Sequence, residues 1–143
     1  MRADAFDIQH ALGGEDAVLN KIKQIEKQGK DASKLDKDLL TILEVVYEMN
    51  LRGIELLPVD IYASKGLQFT IEGNAIRPPF NAVSGVGSTA ALAMEQNRGS
   101  EPFISMEDFQ NRTNANTAVM TALEEAGCFK NLPKTNQITL FSL

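Results

Sequence analysis

Apolar residues recur at helical spacing twice in the first third of the chain, and the spacing then changes. Val18, Ile22 and Ile25 predict a helix from about Glu15 to Gln28, with Glu15 and Asp16 in its first turn and Gly29 at its stop. Gly13 and Gly14 forbid a long helix before it, and the polar run from Lys30 to Lys37 reads mostly as a loop. A stronger helix is expected from about Asp36 to Arg52, with Leu39, Leu40, Leu43, Val46, Tyr47 and Asn50 on one face and Gly53 past its end. Beyond Gly53 the period shortens. Ile54, Leu56 and Leu57 before Pro58 predict a short strand, and 66–76 predicts a hairpin in which Leu67, Phe69 and Ile71 alternate with polar residues and Glu72-Gly73-Asn74 turns. Arg77-Pro78-Pro79 blocks further regular structure.

From Phe80 onward the pattern is helical in short pieces. Phe80 and Val83 are apolar at i and i+3, Ser84-Gly85-Val86-Gly87 is a tight turn, and Ser88 to Asn97 is an alanine-rich helix. Ser105 with Asp108 three residues on has capping-box form, so a helix should begin there. Another should begin at Asn116 or Thr117, carry Val119, Met120 and Leu123, and stop at Gly127. Two helical hairpins thus follow one another, over 80–98 and 105–126. Residues 130–143 lack a helical period and read as an arm ending in an apolar patch. The expected fold is mainly α with a small β-hairpin (α+β).

Composition narrows the classes. The chain has 143 residues, 43% hydrophobic, enough for a packed core. One cysteine, Cys128, excludes a disulfide framework; with His10 as the lone histidine, no structural zinc site of soft ligands can form. No apolar run approaches the roughly 20 residues of a membrane span, and the polar start is no signal peptide, so a cytoplasmic protein without a membrane partner is expected. The net charge of −5 argues against coating nucleic acid by bulk electrostatics. It is unevenly spread: −4 over residues 1–64, +1 over 65–100 and −2 over 101–143. A polyanion should therefore meet the central segment.

That segment contains Phe80-x-x-Val83-x-Gly85-Val86-Gly87-x-x-x-Ala91, which resembles the helix-hairpin-helix motif. The amides of Val86, Gly87, Ser88 and Thr89 are expected to be free donors at a helix start, where a phosphate oxygen can dock without a basic side chain. The Ser88 and Thr89 hydroxyls add donors, and Arg77, Lys65 or Arg98 can add charge. Such contacts hold the backbone of double-stranded DNA and carry no base information. The blander reading is a helix-helix turn in which small residues allow close packing. The second hairpin, around Asn114-Ala115-Asn116-Thr117, has no glycine turn and reads first as a packing partner of the first.

Near the carboxyl end, Gln137-Ile138-Thr139-Leu140-Phe141 resembles the bacterial sliding-clamp binding pentapeptide, departing from its pattern at Ile138 and Thr139. The Gln137 amide can donate and accept, while Ile138, Leu140 and Phe141 can fill apolar pockets. Burying a Leu or Phe is worth roughly 1.5–3 kcal/mol before ordering costs, so the arm alone binds modestly. The alternative is an edge strand or a tail packed on its own domain.

Longer runs carry a wider resemblance. Arg2-Ala3-Asp4-x-Phe6-Asp7, Pro58-Val59-Asp60-Ile61-Tyr62-x-Ser64, Phe69-x-Ile71-Glu72-Gly73, Pro78-Pro79-Phe80-Asn81-Ala82 and Met106-Glu107-Asp108-Phe109-Gln110-x-Arg112 resemble, in order and spacing, the carboxyl-terminal region of PolC-type DNA polymerase III alpha chains. The resemblance implies the end of the fingers up to about residue 60, a duplex-binding tandem helix-hairpin-helix domain over 61–129, and a flexible clamp-binding tail over 130–143. It implies a β sliding clamp and the remainder of the polymerase chain as partners. It also implies two Mg²⁺ ions on palm aspartates that this chain does not include, so no cofactor is expected here and the segment should be inactive alone. Because Met1 falls within the family's longer sequence, the chain reads as an expressed piece of such a polymerase. Asp36 and Asp38 are better explained as residues at a helix start than as metal ligands, His10 as a surface or capping residue, and Cys128 as packing. Two other readings stay open: a DNA-repair or nuclease-accessory helix-hairpin-helix module, and a protein-interaction domain with no DNA role.

Overall fold

The structure, a computed structural model, describes residues 8–29 and 34–135, without the side chains of His10 and Leu35. After a 3₁₀ turn at Ile8–Ala11, helix α1 runs over Gly14–Gln28 and α2 over Lys34–Leu51. The two pack on the stripes that their spacing defines: Val18, Ile22 and Ile25 of α1, and Leu39, Leu43 and Val46 of α2, are buried. Helix α2 starts two residues earlier than its apolar pattern, because helix ends follow capping and backbone geometry more than hydrophobic period.

Strand β1 (Glu55–Leu56) follows, then β2 (Thr70–Glu72) and β3 (Ala75–Arg77), in the sheet order β1-β3-β2. The β2–β3 pair is the expected hairpin, antiparallel with Ile71 opposite Ile76 and a two-residue turn at Gly73 and Asn74. Strand β1 pairs with β3 in parallel, Leu56 opposite Ile76, which no local pattern announced.

The alternation of Leu67, Phe69 and Ile71 does not mark a buried face. Ile71 is 81% exposed, and Leu67 and Phe69 are exposed too. Burial falls instead on the loop over residues 60–66, where Ile61, Ser64 and Gly66 are buried. Asp60 Oδ1 accepts from the amides of Tyr62 (2.8 Å) and Ala63 (2.9 Å), and the buried Ser64 hydroxyl accepts from the Asp60 amide and donates to the Pro78 carbonyl at 2.8 Å. The loop then lies against the next helix so closely that a Cβ on Gly66 would stand 2.9 Å from the Ala91 carbonyl. Phe69 and Ile76 instead line an apolar hollow of about 310 Å³ with Ile8, Val45, Met49 and Leu56.

Two hairpins complete the fold. The first is a 3₁₀ turn at Phe80–Ala82 leading to α3 (Ser88–Asn97); the second joins α4 (Met106–Thr113) to α5 (Thr117–Glu125). They repeat each other 29 positions apart. Phe80 and Phe109 are fully buried, as are Met94 and Leu123; Gly85 (φ 93°) matches Asn114 (φ 57°), and buried Val86 matches buried Ala115. The N-caps match as well: Gly87 has φ −76°, ψ 167° and Asn116 has φ −78°, ψ 171°. The repeat is hidden in the sequence because backbone and burial are shared while Gly-Val-Gly faces Asn-Ala-Asn.

The segment read as an arm from residue 130 stays on the domain at first. Leu132 is half-buried, and the carbonyls of Pro133 and Lys134 accept from the amides of Met106 (2.8 Å) and Glu107 (3.1 Å). Among the described residues, no helix is long and apolar enough to cross a membrane.

Cys128 is half-buried where α5 ends, its thiol directed to the Val59 carbonyl at 3.7 Å. Burial, and next the negative charge of Asp60, push its pKa up from 9.0 to about 12. The unfolded thiol ionises first, so the stabilisation is full below pH 9 and is lost as pH rises toward 12. Urea unfolding should therefore weaken over that window more steeply in the native chain than in Cys128→Ala. Equal slopes would show that the thiol stays solvated.

Candidate nucleic-acid interface

The Gly85–Thr89 turn lies on the surface, with Gly85, Gly87, Ser88 and Thr89 exposed and only Val86 buried. Its two glycines do different work. Gly85 has φ 93°, in the left-handed region, and a Cβ there would stand 3.2 Å from the Ala122 Cβ of α5. Its glycine is required by the backbone and by the approach of the two hairpins. Gly87 has an ordinary extended conformation, and a Cβ there would meet nothing within 4 Å. Neither strain nor packing calls for glycine at that position. What it does is leave the start of α3 without a side-chain cap.

The donors there are consequently available. Among the described residues no acceptor meets the amides of Gly87, Ser88 and Thr89; the first helical bond at this end is from Ala91 to the Gly87 carbonyl, 2.9 Å. Val86 departs from the expectation: its amide donates to the Val83 carbonyl at 3.1 Å and its side chain is 4% exposed, so it shapes the turn and offers no donor. The matching end of α5 is partly closed, because the Asn116 side chain accepts from the Val119 amide at 2.8 Å. Electrostatics single out the same two ends. Helices α1, α2 and α4 each carry an acidic residue in the first turn, whereas α3 and α5 carry none. The positive dipole ends of α3 and α5 are thus left uncompensated by the helices' own side chains.

The arginines expected to supply charge are engaged elsewhere. Arg77 is held in a two-point pair by Glu72 (2.6 and 3.2 Å) and also donates to the Pro58 carbonyl at 2.9 Å. The Glu72 hydrogen bond leads in raising its pKa above the ordinary arginine value. Arg98 caps the opposite end of α3 from Gly87, about 15 Å away at 1.5 Å per residue. Its guanidinium donates to the carbonyls of Ser64 (2.5 Å) and Ile61 (3.4 Å) and lies 6.0 Å from the Phe80 ring centre. Both side chains fasten the 58–64 loop. Lys65, exposed and with no ion pair among the described residues, is left as a source of charge.

Sequence reading missed Arg112, which donates to the carbonyls of Arg98 and Glu101 (3.0 Å) and lies 4.2 Å over the Phe103 ring. It holds the 98–105 connection and so sets one hairpin against the other; a lone arginine in a polar helix gave no signal of this. The Ser105 cap forms as expected, its hydroxyl accepting from the Asp108 amide at 2.9 Å, while Asp108 reaches back to the Ile104 amide. The residues proposed for the clamp, Gln137, Ile138, Leu140 and Phe141, lie outside the described residues, as does the 1–7 segment. Among the described residues no three His, Cys, Asp or Glu side chains converge to hold a metal.

Comparison with known proteins finds the same motif family. The family model for the helix-hairpin-helix motif matches residues 53–138, from just before β1 to beyond the docked end of the tail. The chain is 44% identical to DNA polymerase III PolC-type of Caldanaerobacter subterraneus, 42% to that of Halalkalibacterium halodurans and 40% to that of Bacillus subtilis. Each alignment takes in 99% of this chain and 10% of the relative, so the chain spans about a tenth of the length of these polymerases. The chain belongs to the helix-hairpin-helix family, and along nearly its whole length it matches one stretch of PolC-type DNA polymerase III.

Proposed function

We propose that this chain is a non-catalytic binding segment of a PolC-type replicative polymerase in the cytoplasm, gripping the backbone of duplex DNA without sequence preference and tethering the polymerase to the β sliding clamp. The observation that carries the grip is the uncapped run of amides at Gly87, Ser88 and Thr89 behind a glycine that the fold does not require. A phosphate oxygen satisfies those donors, the exposed Ser88 and Thr89 hydroxyls can add to them, and none of these groups reads a base. In this reading residues up to about 60 end the fingers, 61–129 hold the duplex and 130–143 reach the clamp. The apolar hollow beside α2 takes up contact with the remainder of the polymerase chain.

Titration of the chain with fluorescent duplexes of unrelated sequence should give equal affinities that weaken together as salt is raised, with log K falling by about 0.9 per phosphate neutralised for each decade of salt. A strong preference among sequences, or no response to salt, would overturn the grip. Removing residues 137–143 should abolish capture by purified clamp and leave duplex affinity unchanged; equal capture by the shortened chain would remove the tether.

A further inference from the structure

The β2–β3 hairpin has two unlike faces. On one, Glu72 and Arg77 make their ion pair at 2.6 Å, and Thr70 stands opposite Arg77. On the other, Ile71 stands directly opposite Ile76 and two residues past Phe69, so the three share a face. Phe69 and Ile76 line the hollow of about 310 Å³, yet Phe69 is 46% exposed and Ile71 81%. Helix α2 supplies the facing wall. Thr41, Val45 and Met49 follow one another at four-residue spacing, a row about 12 Å long at 1.5 Å per residue. Val45 is 57% exposed, whereas the stripe that α2 buries is Leu39, Leu43 and Val46. The row is thus a second apolar stripe, which the packing on α1 leaves open. Glu44 and Glu48 border it. Arg52 takes up Glu48 at 3.0 Å, and Glu44 has no ion pair among the described residues. Large apolar side chains left open together beside a hollow mark a contact surface.

Resting on the reading that this chain is one stretch of a longer polymerase, we propose that the trough between α2 and the hairpin seats an amphipathic helix from another part of that same polymerase chain. The helix carries apolar residues at i, i+3, i+4 and i+7, and Lys or Arg along the flank that meets Glu44. Three observations select this occupant. The match takes in 10% of each polymerase, so nine tenths of such a chain lies outside these residues and adjoins them. The wall on α2 is a row of side chains at every fourth position, the ridge against which a second helix packs lengthwise. The rim is acidic, which repels a phosphate backbone, and a second copy of this chain would set one acidic rim against another. A helix with a basic flank satisfies walls and rim together.

The test uses the Bacillus subtilis relative with its matching stretch exchanged for this chain. Benzoylphenylalanine in place of Ile71 should, on irradiation, join to one segment of the same polymerase chain outside the exchanged stretch, with the apolar spacing and basic flank given above. The same photoreactive residue in place of Thr70, on the ion-paired face, should not join to that segment. In a second measurement the separate 143-residue chain is titrated with the relative lacking its matching stretch. Ile71→Asp and Val45→Glu, both at exposed positions, should each weaken that capture by at least about ten-fold while duplex affinity of the chain holds. Equal capture of both variants would overturn the proposal, as would a cross-link from position 71 to a second copy, to DNA or to a segment without helical spacing. If the exchanged polymerase makes no DNA and the separate chain is not captured at all, the polymerase reading falls and this inference with it. If it makes DNA while position 71 joins nothing, only the seat for the helix is lost.

Discussion

Replacing Gly87 with Asp should strengthen the fold and at the same time cost at least about ten-fold in duplex affinity. The position has N-cap geometry, and a Cβ there meets nothing within 4 Å. The new carboxylate can therefore accept from the Thr89 or Ala90 amide, as the Asn116 side chain does from Val119 in the second hairpin. Relative to glycine the cap is worth a few tenths of a kcal/mol, and the favourable dipole interaction adds about 0.3–1 kcal/mol. The same carboxylate fills the phosphate position and repels what would occupy it; ten-fold corresponds to about 1.4 kcal/mol. Opposite signs in urea unfolding and duplex titration separate a lost site from a damaged fold. Full affinity in Gly87→Asp would remove α3 from the DNA surface. Gly85→Val is the poorer experiment, because the positive φ and the Ala122 contact make it a folding variant first.

The largest effect on stability is expected at Phe109. It is fully buried, with its ring edge-to-face on Phe103 (centres 4.8 Å apart) and on Phe129 (5.1 Å). Phe109→Ala should cost about 3–5 kcal/mol, a large share of the 5–15 kcal/mol that holds a domain of this size. Phe103 precedes α4 and Phe129 follows α5, so one cavity loosens the entry to the second hairpin, its exit and the docked tail root together. Chemical denaturation should show the midpoint falling sharply. A loss below about 1 kcal/mol would mean that the aromatic cluster collapses around the gap and that another element carries the core.

Local chemistry was legible in the sequence where it is complete within a few residues. The stripes of α1 and α2, the Ser105 cap, the β2–β3 turn and the Gly85-Val86-Gly87 bend depend on near neighbours, and those neighbours are adjacent in the chain. Partners far along the chain were not legible. Arg77 and Arg98 are cations near a candidate anion site in sequence, yet carbonyls at Pro58, Ile61 and Ser64 claim them in space. The parallel pairing of β1 and the return of Pro133 to α4 have the same origin: each is fixed by backbone groups, which every residue carries and no composition reveals.

The pairing of β1 with β3 has a mechanical consequence. The two-residue strand after α2 hydrogen-bonds to the strand that leads into the first hairpin, while Ser64 ties the intervening loop to Pro78 beyond that strand and Arg98 ties it to the end of α3. Torque applied at the hairpins therefore has a main-chain path to α2, through β3 and its pairing with β1. If the proposed grip holds a moving helical duplex, each step of screw motion reaches the neighbouring helices as rotation of one stiff lever.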